Sequence, residues 1–72
     1  MSRKISSIAK NIKKLRKQKG LSQDRLSKLA DVSNNTIIKI ESGGIQNPTI
    51  KTVQKIAKAL NVSVDDLLKL KI

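Results

Sequence analysis

The sequence predicts an all-α fold of five short helices, and three observations carry that prediction. Aliphatic residues recur every three or four positions along most of the 72-residue chain, which is the spacing of one buried helix face. Serine or threonine precedes most of these segments, where its hydroxyl can cap a helix start. Glycine, aspartate or asparagine follows them, and these residues tolerate the left-handed conformation that ends many helices. Because the local signals agree, one compact domain spanning residues 1–72 is expected.

The first helix is predicted from about Ser6 to Lys19, with Gly20 as the residue that ends it. Its apolar positions follow a helical spacing and form one stripe: Ile5, Ile8, Ile12 and Leu15. Most of the remaining surface is basic, with Lys10, Lys13, Lys14, Lys17 and Lys19. We therefore expect a helix that is buried on one side and strongly cationic on the other.

The second and third helices are predicted to be joined by a three-residue turn, residues 31–33. Ser22 can cap the second helix and Ser33 the third, and the third helix should end at Gly43 and Gly44. Asp31 lies in the turn, where it tolerates a positive φ better than most residues. The predicted core residues of the two helices are Leu26, Leu29, Ala30, Ile37 and Ile40.

The fourth helix is predicted to begin at Pro48 or Thr49 and to end near Asn61. Its apolar stripe consists of Ile50, Val53, Ile56, Ala57 and Leu60. Ser63 begins the fifth helix, and Asp66, three residues further on, completes a capping box with it. These two helices complete an architecture without strands.

The composition argues against an enzyme. The chain has no cysteine, no histidine and only five acidic residues. It therefore lacks the commonest general base, the commonest zinc ligand and any means of forming a disulfide. Five scattered carboxylates are too few for a metal cage. We expect no catalytic residue, no cofactor and no metal, and the sequence indicates no small-molecule ligand.

The excess of positive charge indicates a polyanionic partner, although a highly charged, solvated surface is the simpler alternative. The formal net charge is +11, and there is no Phe, Tyr or Trp. Proteins that hold single-stranded nucleic acid usually stack bases on aromatic rings, so double-stranded DNA is favoured over single strands. No apolar run approaches the roughly 20 residues of a membrane span, and the first residues do not resemble a signal peptide. We expect a cytoplasmic, nucleoid-associated protein that does not bind membranes.

The third helix is predicted to expose a face that suits the major groove of DNA. Successive helical residues are about 100° apart, which directs Ile37 and Ile40 inward and puts Thr36 at the border. The outward residues are Asn34, Asn35, Ile38 and Lys39. Asparagine can form two hydrogen bonds with adenine, lysine can donate to guanine or phosphate, and an apolar side chain can touch a thymine methyl. The alternatives are a packing role for Ile38 and a simple helix-start preference for the asparagines.

These residues resemble the helix-turn-helix of the lambda-repressor-like, or XRE-type (Cro/repressor), DNA-binding domains, at the second and third helices. The matching positions are Leu15-Arg16, Gly20-Leu21-Ser22-Gln23, Leu26, Leu29, Ala30, Val32-Ser33, Thr36-Ile37, Ile40-Glu41 and Gly43. Further matches are Asn47-Pro48-Thr49 and the run from Ile56 to Leu68. The resemblance covers nearly the whole chain. It implies a compact five-helix domain and a prokaryotic or phage transcriptional regulator, of repressor type, that binds double-stranded DNA sequence-specifically.

The resemblance also implies roles by position. Base edges would be contacted by Asn34, Asn35, Ile38 and Lys39. The DNA backbone would be contacted by Gln23, Ser33, Thr36, Gly44, Asn47 and Thr49. Arg16 and Glu41 would form a partly buried, structural ion pair. Ile38 departs from the family pattern, because members often carry a polar residue there, so its role is open.

Two copies related by a two-fold axis would set two recognition helices about 34 Å apart in successive major grooves, on an inverted repeat. We therefore expect a homodimer on DNA, which need not persist in solution. Leu68, Leu70 and Ile72 could form its apolar edge, or could belong to a frayed tail.

Three other functions are considered: an antitoxin that binds a toxin and its own operator, a protein-interaction module, and a peripheral membrane binder that uses the lysine-rich first helix.

Overall fold

Five α-helices make up most of the part of the chain that the computed structural model describes, residues 7–68, and no strand occurs there. In chain order they are α1 (Ser7–Gln18), α2 (Gln23–Ala30), α3 (Asn34–Ser42), α4 (Ile50–Leu60) and α5 (Val64–Leu68). The predicted all-α architecture is confirmed. The predictions that concern Ile5, Leu70 and Ile72 lie outside the described residues.

The helices α2 to α5 begin at the caps that the sequence predicted, and the predicted start of the first helix, Ser6, lies outside the described residues. The side-chain oxygens of Ser22, Ser33 and Thr49 each accept a hydrogen bond from the N–H three residues further on, at 3.0 to 3.2 Å. The capping box of α5 is complete, because Ser63 Oγ accepts from Asp66 N–H at 3.0 Å and Asp66 Oδ2 accepts from Ser63 N–H at 3.2 Å. Each of these bonds satisfies a backbone donor that a helix start leaves without a partner.

Left-handed residues end the first four helices. Their φ angles are +69° at Gly20, +59° at Asp31, +90° at Gly43 and +61° at Asn61. Asp31 and Asn61 adopt this conformation with a side chain present, which short polar residues do more readily than others. Since Asp31 is the first residue of the three-residue turn, its conformation sets the direction in which the chain enters α3.

The core lies where the five helices meet. Its fully buried members with the largest side chains are Ile12, Leu26, Ile37, Ile40, Ile56, Leu60 and Leu67. α3 packs on α1 and α2, α2 packs on α4, and α5 packs on α1 and α4. Asn11 Nδ2 of α1 also donates to the carbonyl of Leu67 at 2.8 Å. Because α3 is supported mainly by two neighbours, one of its sides is left open.

Leu29 was predicted to belong to the core, and this prediction is wrong: 54% of its surface is exposed. The buried side of α2 is centred on Leu26 and Ala30 and extends towards Ser27, which is only 4% exposed. Ser27 can be buried because its hydroxyl donates to the carbonyl of Asp24 at 2.6 Å. Around the helix axis, Ser27 lies on one side of Ala30, and Leu29 lies about 100° away on the other side. The helix orientation that buries Ser27 therefore exposes Leu29.

Ile50 was also predicted to lie in the core stripe of α4, and it is 60% exposed. Its angular position agrees with the buried face that contains Val53 and Ala57. However, Ile50 is the first residue of α4, and helical side chains lean towards the N-terminus. The side chain therefore extends past the end of the core.

Candidate nucleic-acid interface

The open side of α3 carries the residues that the sequence predicted to face outward. Asn34, Asn35 and Lys39 are exposed, whereas Ile37 and Ile40, on the opposite side, have no exposed surface. Among the described residues, no side chain or backbone group bonds to the side chains of Asn34, Asn35 or Lys39. Their donors and acceptors are therefore available to a molecule that approaches this face.

Ile38 lies on the same open face and is 39% exposed. The core forms without it, since the buried cluster contains Ile37 and Ile40 on the other side of the helix. A large aliphatic side chain that remains in water forgoes the free energy of burial, about 0.8 kcal/mol for each CH₂. Ile38 thus presents an apolar surface between polar neighbours.

Both ends of α3 are fixed by local hydrogen bonds. At its start, Ser33 Oγ bonds to Thr36 Oγ1 at 2.8 Å as well as capping the helix. At its end, the N–H of Gly43 donates to Ile40 O at 3.2 Å, and the N–H of Ile45 donates to Lys39 O at 3.1 Å. Ile45 also packs on the core. The loop after α3 is therefore anchored to the helix.

Gly44 occupies this loop with its N–H unpaired within the described part of the chain. A Cβ built on Gly44 would come no nearer than 3.5 Å to any neighbour, the carbonyl oxygen of Lys39. The chain itself therefore does not require a glycine there.

Arg16 and Glu41 form the predicted ion pair, which joins α1 to the end of α3. The Arg16 guanidinium donates from Nε to Glu41 Oε2 at 2.7 Å and from Nη2 to Glu41 Oε1 at 2.9 Å. The side chains are 9% and 3% exposed, respectively. The hydrogen bond to Glu41 raises the pKa of Arg16 above its ordinary value, although burial opposes this shift. The guanidinium therefore stays charged until the pH rises far above neutrality.

Two further hydrogen bonds extend the ion pair to the start of α2. Gln23 Nε2 donates to Glu41 Oε1 at 3.0 Å, and Arg16 Nη1 donates to the carbonyl of Leu21 at 2.7 Å. The network thus links three helices. The sequence predicted the pair but missed the bond from Gln23, because nothing in the local pattern signals a contact between residues 18 positions apart.

The candidate backbone-contacting residues lie at helix starts and in the loop after α3. Ser33, Gly44, Asn47 and Thr49 are exposed, and Gln23 and Thr36 are half-buried. The Thr49 hydroxyl donates to Thr52 Oγ1 at 3.0 Å, so it must rotate before it can donate to a phosphate. No hydrogen bond or ion pair among residues 7–68 connects Asn47 or Thr49 to the α3 face.

Positive charge is concentrated on α1. All five lysines of the segment from Lys10 to Lys19 are exposed; four lie on α1 and Lys19 follows directly after it, and together they are called the α1 lysines. Elsewhere, Asp24 pairs with Lys28 at 3.4 Å, and Asp31 lies 3.9 Å from Lys55. Within the described ranges the α1 lysines have no carboxylate partner. Their charge is therefore not neutralised locally and attracts anions.

Residues 7–68 contain no helix that is long and apolar enough to cross a membrane. The same residues contain no group of three or more acidic, histidine or cysteine side chains that could hold a metal ion.

Comparison with known proteins identifies the class of this fold. The family model described as helix-turn-helix matches residues 12–67. The HTH-type transcriptional regulator SinR of Bacillus subtilis is 38% identical over 61 residues, which are 85% of this chain and 55% of SinR. This chain therefore spans about half the length of SinR.

Solved structures of similar proteins support the same class. A crystal structure of SinR in complex with DNA has 37% sequence identity and a TM-score of 0.83, covering 86% of this chain and 98% of that one. An HTH_3 family transcriptional regulator from Vibrio cholerae has 41% identity and a TM-score of 0.81, covering 88% of this chain and 35% of that one. Both relatives are described as transcriptional regulators, a class distinct from enzymes, and SinR has been crystallised with DNA. The chain belongs to the helix-turn-helix family, in its lambda-repressor-like class, as the sequence predicted.

Proposed function

We propose that this chain binds double-stranded DNA sequence-specifically and regulates transcription, with α3 inserted in the major groove. The observation that carries the proposal is the contrast across α3, where Ile37 and Ile40 are fully buried while the opposite face is open. That open face presents amide, ammonium and aliphatic groups without partners in the described chain. The similarity to SinR, which has been crystallised with DNA, supports the same conclusion.

The chemistry of the α3 face suggests how bases are distinguished. Asn34 and Asn35 can each donate to adenine N7 and accept from its N6 amino group. Lys39 can donate to guanine O6 or N7, or to a nearby phosphate. Ile38 can contact the C5 methyl group of thymine, which is the only apolar group that the bases present in the major groove.

Phosphate contacts would fix the position of α3 on the duplex. Helix starts direct backbone N–H groups at anions, and the proposed contacts cluster there and in the following loop. They comprise Gln23, Ser33, Thr36, Gly44, Asn47 and Thr49. The α1 lysines add the sequence-independent attraction that salt screens.

The target is an inverted repeat occupied by two copies of the domain, with the α3 helices about 34 Å apart. The predicted apolar edge between the two copies consists of Leu68, Leu70 and Ile72. Of these three, Leu68 lies in the described part of the chain, at the end of α5, and it is 46% exposed. The complex forms on DNA in the cytoplasm, at the nucleoid.

Selection of bound duplexes from a randomised pool tests this proposal. We expect enrichment of a short motif with two-fold symmetry. If two copies neutralise six to ten phosphates, affinity should fall by about 10³ to 10⁵ between 50 and 200 mM salt. A variant that carries both Asn34→Ala and Asn35→Ala is the control, and its selected motif should lose the base preference at the positions that the two asparagines contact. A wild-type selection without enrichment would refute sequence-specific binding.

A further inference from the structure

The carboxylate of Glu41 accepts three hydrogen bonds, and one of them comes from outside its ion pair. Arg16 supplies two, at 2.7 and 2.9 Å. Gln23 Nε2 supplies the third, at 3.0 Å. An ionised carboxylate can only accept hydrogen bonds. Therefore the Gln23 amide must turn its nitrogen, not its oxygen, towards Glu41.

This bond leaves Gln23 with one free donor. A side-chain amide nitrogen carries two hydrogens, of which Glu41 engages one. Gln23 is half-buried, and its acceptor Glu41 has a side chain only 3% exposed. Because its partner is itself held by Arg16, the amide has a fixed orientation in the free protein, and its second N–H has a fixed direction.

Gln23 is also the first residue of α2. The backbone N–H groups of Gln23 and Asp24 precede the first hydrogen bonds of this helix, which Arg25 donates to Ser22 Oγ and Leu26 to Ser22 O. These two N–H groups are among the four that a helix start leaves without intrahelical acceptors, and the Ser22 cap does not engage them. The second Nε2 hydrogen of Gln23 thus belongs to the same helix start as the two unpaired backbone donors.

We propose that Glu41 is a positioning residue for DNA backbone recognition: it holds the Gln23 amide so that the remaining N–H donates to a phosphate. This inference rests on the proposed function. A donor that is already oriented loses less side-chain entropy when the phosphate binds. The Arg16 guanidinium neutralises the carboxylate, so that Glu41 orients Gln23 without repelling the DNA.

A double-mutant cycle separates this role from a purely structural one. Gln23→Met removes the amide at similar volume, and Arg16→Met with Glu41→Met replaces the ion pair by apolar side chains, a change that folds often tolerate. In the wild-type background we expect Gln23→Met to weaken binding to the selected duplex about tenfold, as for loss of a hydrogen bond to a charged group. When Arg16 and Glu41 are both replaced by methionine, Gln23→Met should weaken binding to the selected duplex by about twofold or less. The reason is that the Gln23 amide has then already lost the carboxylate that orients it.

Gln54→Met is the matched control, since Gln54 is exposed on α4, and it should change affinity in neither background. Equal losses from Gln23→Met in both backgrounds would overturn the inference.

A second measurement needs no change to the ion pair. In NMR spectra of the wild-type chain, one Gln23 Nε2 hydrogen should keep its chemical shift when DNA binds, whereas the other should move. If both hydrogens respond alike, as those of Gln54 should, Glu41 does not orient the amide. A wild-type chain that binds no selected duplex would refute the proposed function and this inference together. DNA binding without coupling between Gln23 and the ion pair refutes the inference alone.

Discussion

The polar residues of α3 occupy two opposite environments. At its end, Glu41 is buried and bonded to Arg16 and Gln23. On its open face, Asn34 and Asn35 are exposed and have no partner in the described chain. Buried polar groups must be satisfied within the fold, whereas exposed ones can exchange water for a ligand at little cost. The comparison teaches that one short helix separates the residues that stabilise the domain from those that we propose contact DNA.

Arg16→Ala should have the largest effect, on stability. It leaves the Glu41 carboxylate buried without its counter-ion, which costs about 3 kcal/mol or more. The melting temperature of a domain this size should fall by more than about 10 °C. Lys13→Ala, on the exposed side of α1, is the control and should change stability by no more than about 0.5 kcal/mol. Thermal unfolding followed by circular dichroism measures both, and equal melting temperatures would show that the ion pair contributes nothing.

Asn35→Ala should have the next largest effect, and it should appear in recognition instead of stability. Loss of a paired contact to adenine removes about 1 to 3 kcal/mol of discrimination at one base pair. Affinity for the selected duplex should fall, while affinity for random duplex DNA and the melting temperature stay almost unchanged. Titrations with duplexes that differ at single positions measure this. An equal loss of affinity on every sequence would contradict base recognition by Asn35.

Ile38→Ala tests the apolar part of the open face and should have a smaller effect. Loss of a methyl contact corresponds to about 0.8 kcal/mol, or roughly fourfold in affinity. Replacing thymine by deoxyuridine in the selected duplex removes the same contact from the DNA side, so the two changes should not be additive. Leu29→Ala, at an exposed leucine on α2, is the control and should leave affinity unchanged. Additive losses would show that Ile38 acts elsewhere.

Asp24→Asn should have the smallest effect. It compares the contribution of one carboxylate at the start of α2 to DNA binding with its contribution to stability. Asp24 carries the only carboxylate in the first turn of α2, where phosphate is proposed to bind. Its removal should tighten DNA binding about twofold at low salt, and the gain should vanish at high salt. Stability should fall by a few tenths of a kcal/mol, because Asp24 also suits the helix dipole and pairs with Lys28 on the surface. Asp65→Asn, in α5, is the control.

The helix starts and the face of α3 were predictable because they depend on neighbours in sequence. Ser22, Ser33 and Thr49 cap helices through bonds to N–H groups three residues away. The outward direction of Asn35 and Lys39 follows from the helical repeat once Ile37 and Ile40 are known to be buried. Such short-range relations can be inferred without knowing which distant segments meet.

The errors concern residues whose surroundings depend on how the helices pack. Leu29 has the same aliphatic character as Leu26, yet α2 is rotated so that Ser27 is buried in its place. Ile50 satisfies the periodicity of α4 but lies beyond the point where neighbouring helices cover it. Periodicity assigns a face to each residue, but it does not say how far the covering helices extend.

The network around Glu41 needed the assembled fold for the same reason. Its bonds join residues 25 and 18 positions apart in the chain, and their geometry depends on three helices at once. Residue order along the chain therefore specified the helices, their caps and the face of α3, through interactions between residues that are close together in the chain. Packing specified which apolar residues escape burial and which amide meets the buried carboxylate, since those contacts exist only when distant segments come together.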